Sequence, residues 1–137
     1  MRRWFLDASY LIALEWKDDQ WHSEAMAHWA GLRLGPKSLV TTSFVIDEVV
    51  NFFVSRGHHQ RAIQAGDLLL SSGGVEVVWA DEELVRAGFE YLRRRGDKRY
   101  SLTDCISFVV MNRLGIMEAL TFDTHFEQAG FVRLPRA

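Results

Sequence analysis

Residues 101–126, SLTDCISFVVMNRLGIMEALTFDTHF, hold two apolar runs of different length, each carrying an aspartate. Leu102 to Met111 is mostly apolar and uncharged apart from Asp104, and it is long enough to be a buried helix. Gly115 stops it. The shorter run MEALTF, ending at Phe122, reads as a buried strand, and Asp123 comes directly after it. An ionised carboxylate in such surroundings is costly unless something compensates it. The two aspartates therefore need a reason to be there.

Working outward, the same helix–strand alternation recurs. Arg3 to Asp7 (RWFLD) reads as a strand with an acidic last residue, followed by a helix from Ala8 to Trp16. A second helix is expected over Trp21 to Leu34, a turn at Gly35-Pro36-Lys37-Ser38, and a brief strand at Leu39 to Thr41. Ser43 is placed to cap a helix reaching about Ser55, and another covers His59 to Leu70 before Ser71-Ser72-Gly73-Gly74 ends it. Val75 to Trp79 (VEVVW) is a strand, and Asp81 caps a helix that Gly96 stops. After the Glu118 to Phe122 strand come a short helical turn, Thr124 to Ala129, and a last strand, Phe131 to Leu134. Strands alternating with helices predict an α/β fold, a parallel sheet with helices on both faces. In open sheets of this kind sites form outside the carboxyl ends of the strands, where Asp7 and Asp123 both stand.

At 137 residues, with no linker or repeat, the chain is expected to be one domain, 1–137. A single cysteine, Cys105, rules out a disulfide framework and a cysteine-based zinc cluster, and it suits a reducing cytoplasm. Asp7 breaks the N-terminal apolar run too early for a signal peptide, and no stretch approaches the ~20 apolar residues of a membrane span. Net charge is −2, but Arg93, Arg94, Arg95, Lys98 and Arg99 crowd into RRRGDKRY at 93–100. A solvated helix end is the simpler explanation of that charge taken alone. Five tryptophans and 48% apolar composition hint at an interface, although a core can absorb them.

A third acid stands out in the helix from Ser43. Positions 44, 45, 48, 49 and 52 share a face, which reads Phe44, Val45, Glu48, Val49, Phe52. Glu48 is the one charge on that stripe, whereas Asp47 falls beside Asn51 toward water. Asp7, Glu48, Asp104 and Asp123 are thus the candidate site. Each of the three aspartates also has a local reading: Ser101 to Asp104 matches a capping box, and Asp7 and Asp123 can each cap the helical segment after them. Thr124 to Glu127 is a competing capping box. Four converging carboxylates repel one another unless protonated or offset by a cation, and oxygen-only ligation selects Mg²⁺ or Mn²⁺. Such ions can activate water and stabilise the leaving oxygen of a phosphodiester, and they let an acidic pocket receive a polyanion. Thr103, Thr121 and Ser9 are candidates to orient carboxylates, with backbone bonding the favoured reading for Ser9. His125 lies two residues past Asp123, within reach of a phosphate.

The motifs FLDAS, TTSFVIDEVVN, SLTDCISFVVM and LTFDTHFEQAGF, in this order over nearly the whole chain, together resemble the PIN-domain ribonucleases, and within them the VapC-type toxins. The resemblance implies a three-layer α/β/α domain with a mainly parallel sheet of about five strands. It matches Asp7, Glu48, Asp104 and Asp123 to the family's acids. It implies RNA cleavage with Mg²⁺ or Mn²⁺, often as a homodimer, and inhibition by a small cognate antitoxin. The basic loop at Arg93 to Arg99 is then the candidate RNA-backbone contact. Alternatives are a PIN nuclease of RNA processing and a non-catalytic RNA-binding module. A phosphoaspartyl phosphatase or receiver domain fits less well, because no lysine follows Lys98 and Ser9 stands where a D-x-D motif needs its second aspartate.

Overall fold

The computed structural model describes residues 2–33, 35, 37–71 and 73–136. Leu34, Pro36 and Ser72, at which a helix end and two turns were expected, lie outside the described residues.

Among the described residues, five strands form one sheet in the order β3-β2-β1-β4-β5: β1 (Arg2–Leu6), β2 (Lys37–Thr42), β3 (Val75–Val78), β4 (Glu118–Leu120) and β5 (Val132–Leu134). Every pairing between neighbours is parallel. The central strand buries Trp4, Phe5 and Leu6 in succession, the continuous apolar run that a strand covered on both faces requires. Edge strands β3 and β5 have no fully buried residue.

Seven helices of the described residues flank the sheet: α1 (Ala8–Glu15), α2 (His22–Leu32), α3 (Ser43–Ser55), α4 (His59–Ser71), α5 (Glu82–Arg93), α6 (Leu102–Leu114) and α7 (His125–Gln128). α1 packs with α2 and α3, and α3 with α4; α5 packs with α6, and α6 with α7. The result is the three-layer α/β/α arrangement expected. The α5–α6 contact is close because Gly88 has no side chain: a Cβ there would lie 2.5 Å from Ile106 Cγ1. Arg113 clamps the same pair by a two-pronged bond to Glu83 at 2.7 and 2.6 Å. Gly115 ends α6 in the left-handed conformation at φ 69°, where glycine carries no Cβ penalty.

Most expected boundaries hold within two residues; β2 begins two residues early, at Lys37. One cap moves. The hydroxyl of Thr42, not Ser43, accepts the α3 amide of Val45, and the Ser43 hydroxyl accepts instead from the Ala80 amide. Thr124 caps nothing with its side chain, so the competing capping box at 124–127 does not form.

The topology locates a crevice. The chain leaves β1 toward β2 and β3, then crosses back to place β4 and β5 on the other side of β1. β1 and β4 therefore flank the switch point, and their carboxyl ends open the crevice in which such sheets bind ligands. No described helix is long and apolar enough to cross a membrane.

Candidate metal centre

Asp7 follows β1 at this crevice and is buried. Its amide donates to the Leu120 carbonyl at 3.1 Å, so strand pairing itself fixes it against β4. One carboxylate oxygen, Oδ2, takes all its protein donors: Ser9 Oγ at 2.7 Å, Thr121 Oγ1 at 2.7 Å and the Ser9 amide at 3.4 Å. The hydroxyls are shared onward. Ser9 Oγ accepts from the Phe122 amide and Thr121 Oγ1 from the Asp123 amide, both at 2.9 Å. Thus Ser9, read from sequence as a local backbone partner, bonds both the carboxylate and the opposite strand's loop. Thr103 does not take part: its carbonyl accepts from Ser107, and its hydroxyl has no protein hydrogen bond among the described residues.

Asp104 sits in the first turn of α6 and is buried. The capping box is complete, with Ser101 Oγ accepting the Asp104 amide at 3.0 Å and Asp104 Oδ2 accepting the Ser101 amide at 3.2 Å. The same Oδ2 lies 3.0 Å from His125 Nδ1. Asp123 Oδ1 accepts the His125 amide at 2.9 Å and lies 3.4 Å from the ring nitrogen. His125 therefore joins the two aspartates. Its signal in the sequence was only its spacing from Asp123. Asp104, Asp123 and His125 each offer one ligand atom within 4.8 Å of the others.

All three aspartates take their protein donors on one oxygen and leave the other with none among the described residues. Oxygen ligands, partly anchored and with an unbonded oxygen each, suit a hard divalent ion. Asp7, Asp104 and Asp123 fit as its holders.

Glu48 is placed differently from expectation. The buried stripe of α3 is Val45, Ile46, Val49 and Phe53, whereas Glu48 is exposed and Phe44 and Phe52 are half-buried. The helical wheel puts 44, 48 and 52 at the margin of the buried face, which periodicity alone cannot distinguish from its centre. Glu48 nevertheless faces the acids. Surrounding protein, then the charges of Asp7, Asp104, Asp123 and Asp47, push its carboxyl up to about 7, softened by the water that reaches it. Asp47 accepts from Asn51 at the surface. Burial pushes Asp7 up to about 6 against the lowering bonds from Thr121 and Ser9, and Asp104 and Asp123 add to the rise. Burial and then Asp123 also raise Asp104, with Ser101 and His125 pulling the other way. The folded chain by itself leaves the negative charge here undercompensated.

A row of aromatics holds the loop after β4. Phe122 stacks on Tyr10 at 5.8 Å and on Trp21 at 5.3 Å, and Tyr10 bonds His28 at 2.8 Å. The basic loop leads into Ser101 and so into Asp104. Within it Arg93 and Arg94 pair with Glu90, Lys98 pairs with Asp97, and Arg95 lies 3.7 Å over the Tyr91 ring. Arg99 has no partner among the described residues.

The PIN-domain profile matches residues 4–132. The chain belongs to the PIN-domain family. This PIN domain is 33% identical over 130 residues to the 23S rRNA-specific endonuclease VapC20 of Mycobacterium tuberculosis, covering 95% of this chain and 96% of that protein. The crystal structure of that protein, described as a Sarcin–Ricin loop cleaving toxin, matches with a TM-score of 0.85 over 93% of this chain and 95% of that one. VapBC2 from Rickettsia felis shares the fold alone, at 10% identity and a TM-score of 0.66, covering 96% of each chain. So does a toxin–antitoxin complex from Klebsiella pneumoniae, at 17% identity and 0.58, covering 88% and 87%.

Proposed function

We propose that this protein is a divalent-metal-dependent endoribonuclease acting as the toxin of a toxin–antitoxin pair in the cytoplasm. The observation that carries the reading is the convergence of Asp7, Asp104 and Asp123 at the β1/β4 switch point, each with one oxygen free of protein donors among the described residues. The relative at 33% identity cuts 23S rRNA, which makes a structured ribosomal loop the first substrate to try.

Asp7, Asp104 and Asp123 would hold Mg²⁺ or Mn²⁺, with Glu48 as a further carboxylate on the open side. The ion supplies activation of water and stabilisation of the departing oxygen in phosphodiester hydrolysis. The chain's own contribution is positioning. Ser9 and Thr121 fix the Asp7 oxygen that faces them, and His125 fixes Asp104 against Asp123. Glu48, held near neutral in pKa, is suited to take or give a proton at the substrate edge. Arg95 and Arg99 on the loop before Asp104 are the cations left to meet the RNA backbone, with Arg93, Arg94 and Lys98 released from exposed ion pairs at little cost. An antitoxin and a second copy are the protein partners. Exposed Trp79, directly after β3, and exposed Phe89 on α5 are the surface offered for a homodimer.

The test is cleavage of ribosomes and naked 23S rRNA with Mg²⁺ or Mn²⁺, against EDTA and against Asp7→Asn. A discrete cut that needs the metal and Asp7 supports the reading. Binding without any cut under all conditions would make this a non-catalytic RNA-binding module. Cleavage with no growth arrest on expression would make it a nuclease outside any toxin–antitoxin pair.

A further inference from the structure

The corner between α3 and α4 carries a cluster that the acid pocket does not use. Glu48, Phe52 and Arg56 recur at four-residue steps along α3 and its C-cap, so they line one face about 6 Å apart. The row starts at the acid pocket, whose charges reach Glu48. Arg56 lays its guanidinium 3.6 Å from the centre of the Phe52 ring and 5.8 Å from that of Trp16. Trp16, the C-cap of α1, meets Phe52 edge-on at 5.2 Å and stands 6.5 Å from His58. Both large rings are half-buried, and Arg56 and His58 are exposed.

Along this stretch of α3 and α4 the charge is one-sided. Between Glu48 and Asp67 the sequence holds Arg56, His58, His59 and Arg61 and no acid. Arg56 bonds only the Phe52 carbonyl and Ser55 Oγ, and Arg61 donates to the Glu15 carbonyl, so neither guanidinium meets a carboxylate among the described residues. A concavity of about 450 Å³, lined by Gly57, His58, His59, Gln60, Arg61 and Gln64, continues the surface.

We infer that this corner is an RNA-binding track, with Arg56, held flat on Phe52 beside Trp16, and Arg61 at the concavity meeting phosphates of the strand that enters the acid pocket. The inference rests on the nuclease reading above. A guanidinium stacked on a ring is held flat and keeps its donors for an anion. Aromatic faces beside such cations are how single-stranded nucleic acid is gripped without sequence readout. An acidic polypeptide would satisfy the arginines equally, but it would run into Asp47 and Glu48 at the head of the row. RNA arriving there is instead the anion that a metal-loaded pocket accepts.

The experiment uses the full chain in an Asp104→Asn background with Mg²⁺, and measures binding of an end-labelled mixed-sequence single-stranded RNA by fluorescence anisotropy across a salt series. Arg56→Gln is expected to weaken binding at least several-fold and to lower the slope of log affinity against log salt by about 0.7. Phe52→Leu, which removes the ring that holds the Arg56 guanidinium flat, is expected to weaken it several-fold with the slope unchanged. Arg86→Gln, which breaks an exposed pair with Glu82 on α5, serves as the distant control and should change nothing. Melting curves establish that each variant is folded. Because Arg56 is exposed, its glutamine variant keeps the inference testable if Phe52→Leu fails to fold. Affinities and slopes within twofold of the parent for Arg56→Gln and Arg61→Gln would overturn it. So would Arg56-dependent binding of a polyglutamate peptide without Arg56-dependent binding of RNA. Cleavage by the native chain is measured in parallel: intact cleavage with unchanged variant binding sinks the track alone, and no cleavage or binding by the native chain sinks both.

Discussion

His125 and Asp104, 21 residues apart, are joined by an Nδ1–Oδ2 contact of 3.0 Å, while the His125 amide holds Asp123 at 2.9 Å. One residue thus sets the separation of two carboxylates. His125→Ala is expected to leave the fold intact and to weaken metal binding and cleavage by roughly 10- to 100-fold, the usual effect of losing a residue that orients a ligand. The rise in melting temperature on titrating Mn²⁺ measures the first effect and turnover the second. Unchanged metal dependence would reduce His125 to a packing residue against Tyr100, whose ring it meets at 5.4 Å.

Asp7→Asn separates stability from chemistry. Asparagine keeps an oxygen for Ser9 and Thr121 but removes a buried charge that Asp104 and Asp123 oppose. Cleavage should be lost, and the metal-free protein should become more stable by up to ~3 kcal/mol at neutral pH. A variant that melts below its parent in EDTA would show that the native carboxylate is a stabilising group.

That gain should depend on pH with a definite sign. Asp7 and Glu48 titrate from 3.8 and 4.5 without the fold to about 6 and about 7 within it. Between those values the folded state holds more protons than the unfolded one, so their contribution to stability falls as pH rises from about 4 to about 7 and then levels. The difference in melting temperature between Asp7→Asn and its parent in EDTA should widen over that window. Added Mg²⁺ or Mn²⁺ should stabilise the parent above pH 7 and do little near pH 4, where protons occupy the ligands.

Gly88→Ala tests how the α6 acid is supported. The added methyl would meet Ile106 Cγ1 at 2.5 Å and Ile106 backbone at 3.3 Å, two residues past Asp104. A loss of about 1–3 kcal/mol is expected from overpacking. Ile106→Ala in the same chain should recover part of it, seen as a double-mutant loss smaller than the sum. Additive losses would place the strain elsewhere.

Much of the candidate site was legible because aspartates interrupt apolar runs where the chain has no packing reason for them. Asp7 and Asp123 at strand ends and Asp104 after Ser101 could be placed from periodicity and capping alone. The convergence of those ends could be anticipated from the α/β pattern, but the crevice needed the strand order, which no local run encodes. Glu48 was picked for a buried stripe it does not occupy; it is the neighbouring charges that mark it. The Ser9 hydroxyl reaches Phe122 across 113 residues, a contact invisible to local propensity, and so it read as a local backbone partner. The partners of the basic loop were likewise hidden: a run of arginines does not reveal that Glu90 already occupies two of them.

The stack of Tyr10, Phe122 and Trp21 has a consequence for motion. Phe122 stands between Thr121 and Asp123, so this segment of the candidate site is pinned between buried Tyr10 and half-buried Trp21. Its amide, bonded to Ser9 Oγ, should exchange with solvent deuterium about as slowly as the sheet itself, because it cannot open without breaking the core. The β4 side of the acid pocket is thereby expected to open only together with the packing around Tyr10.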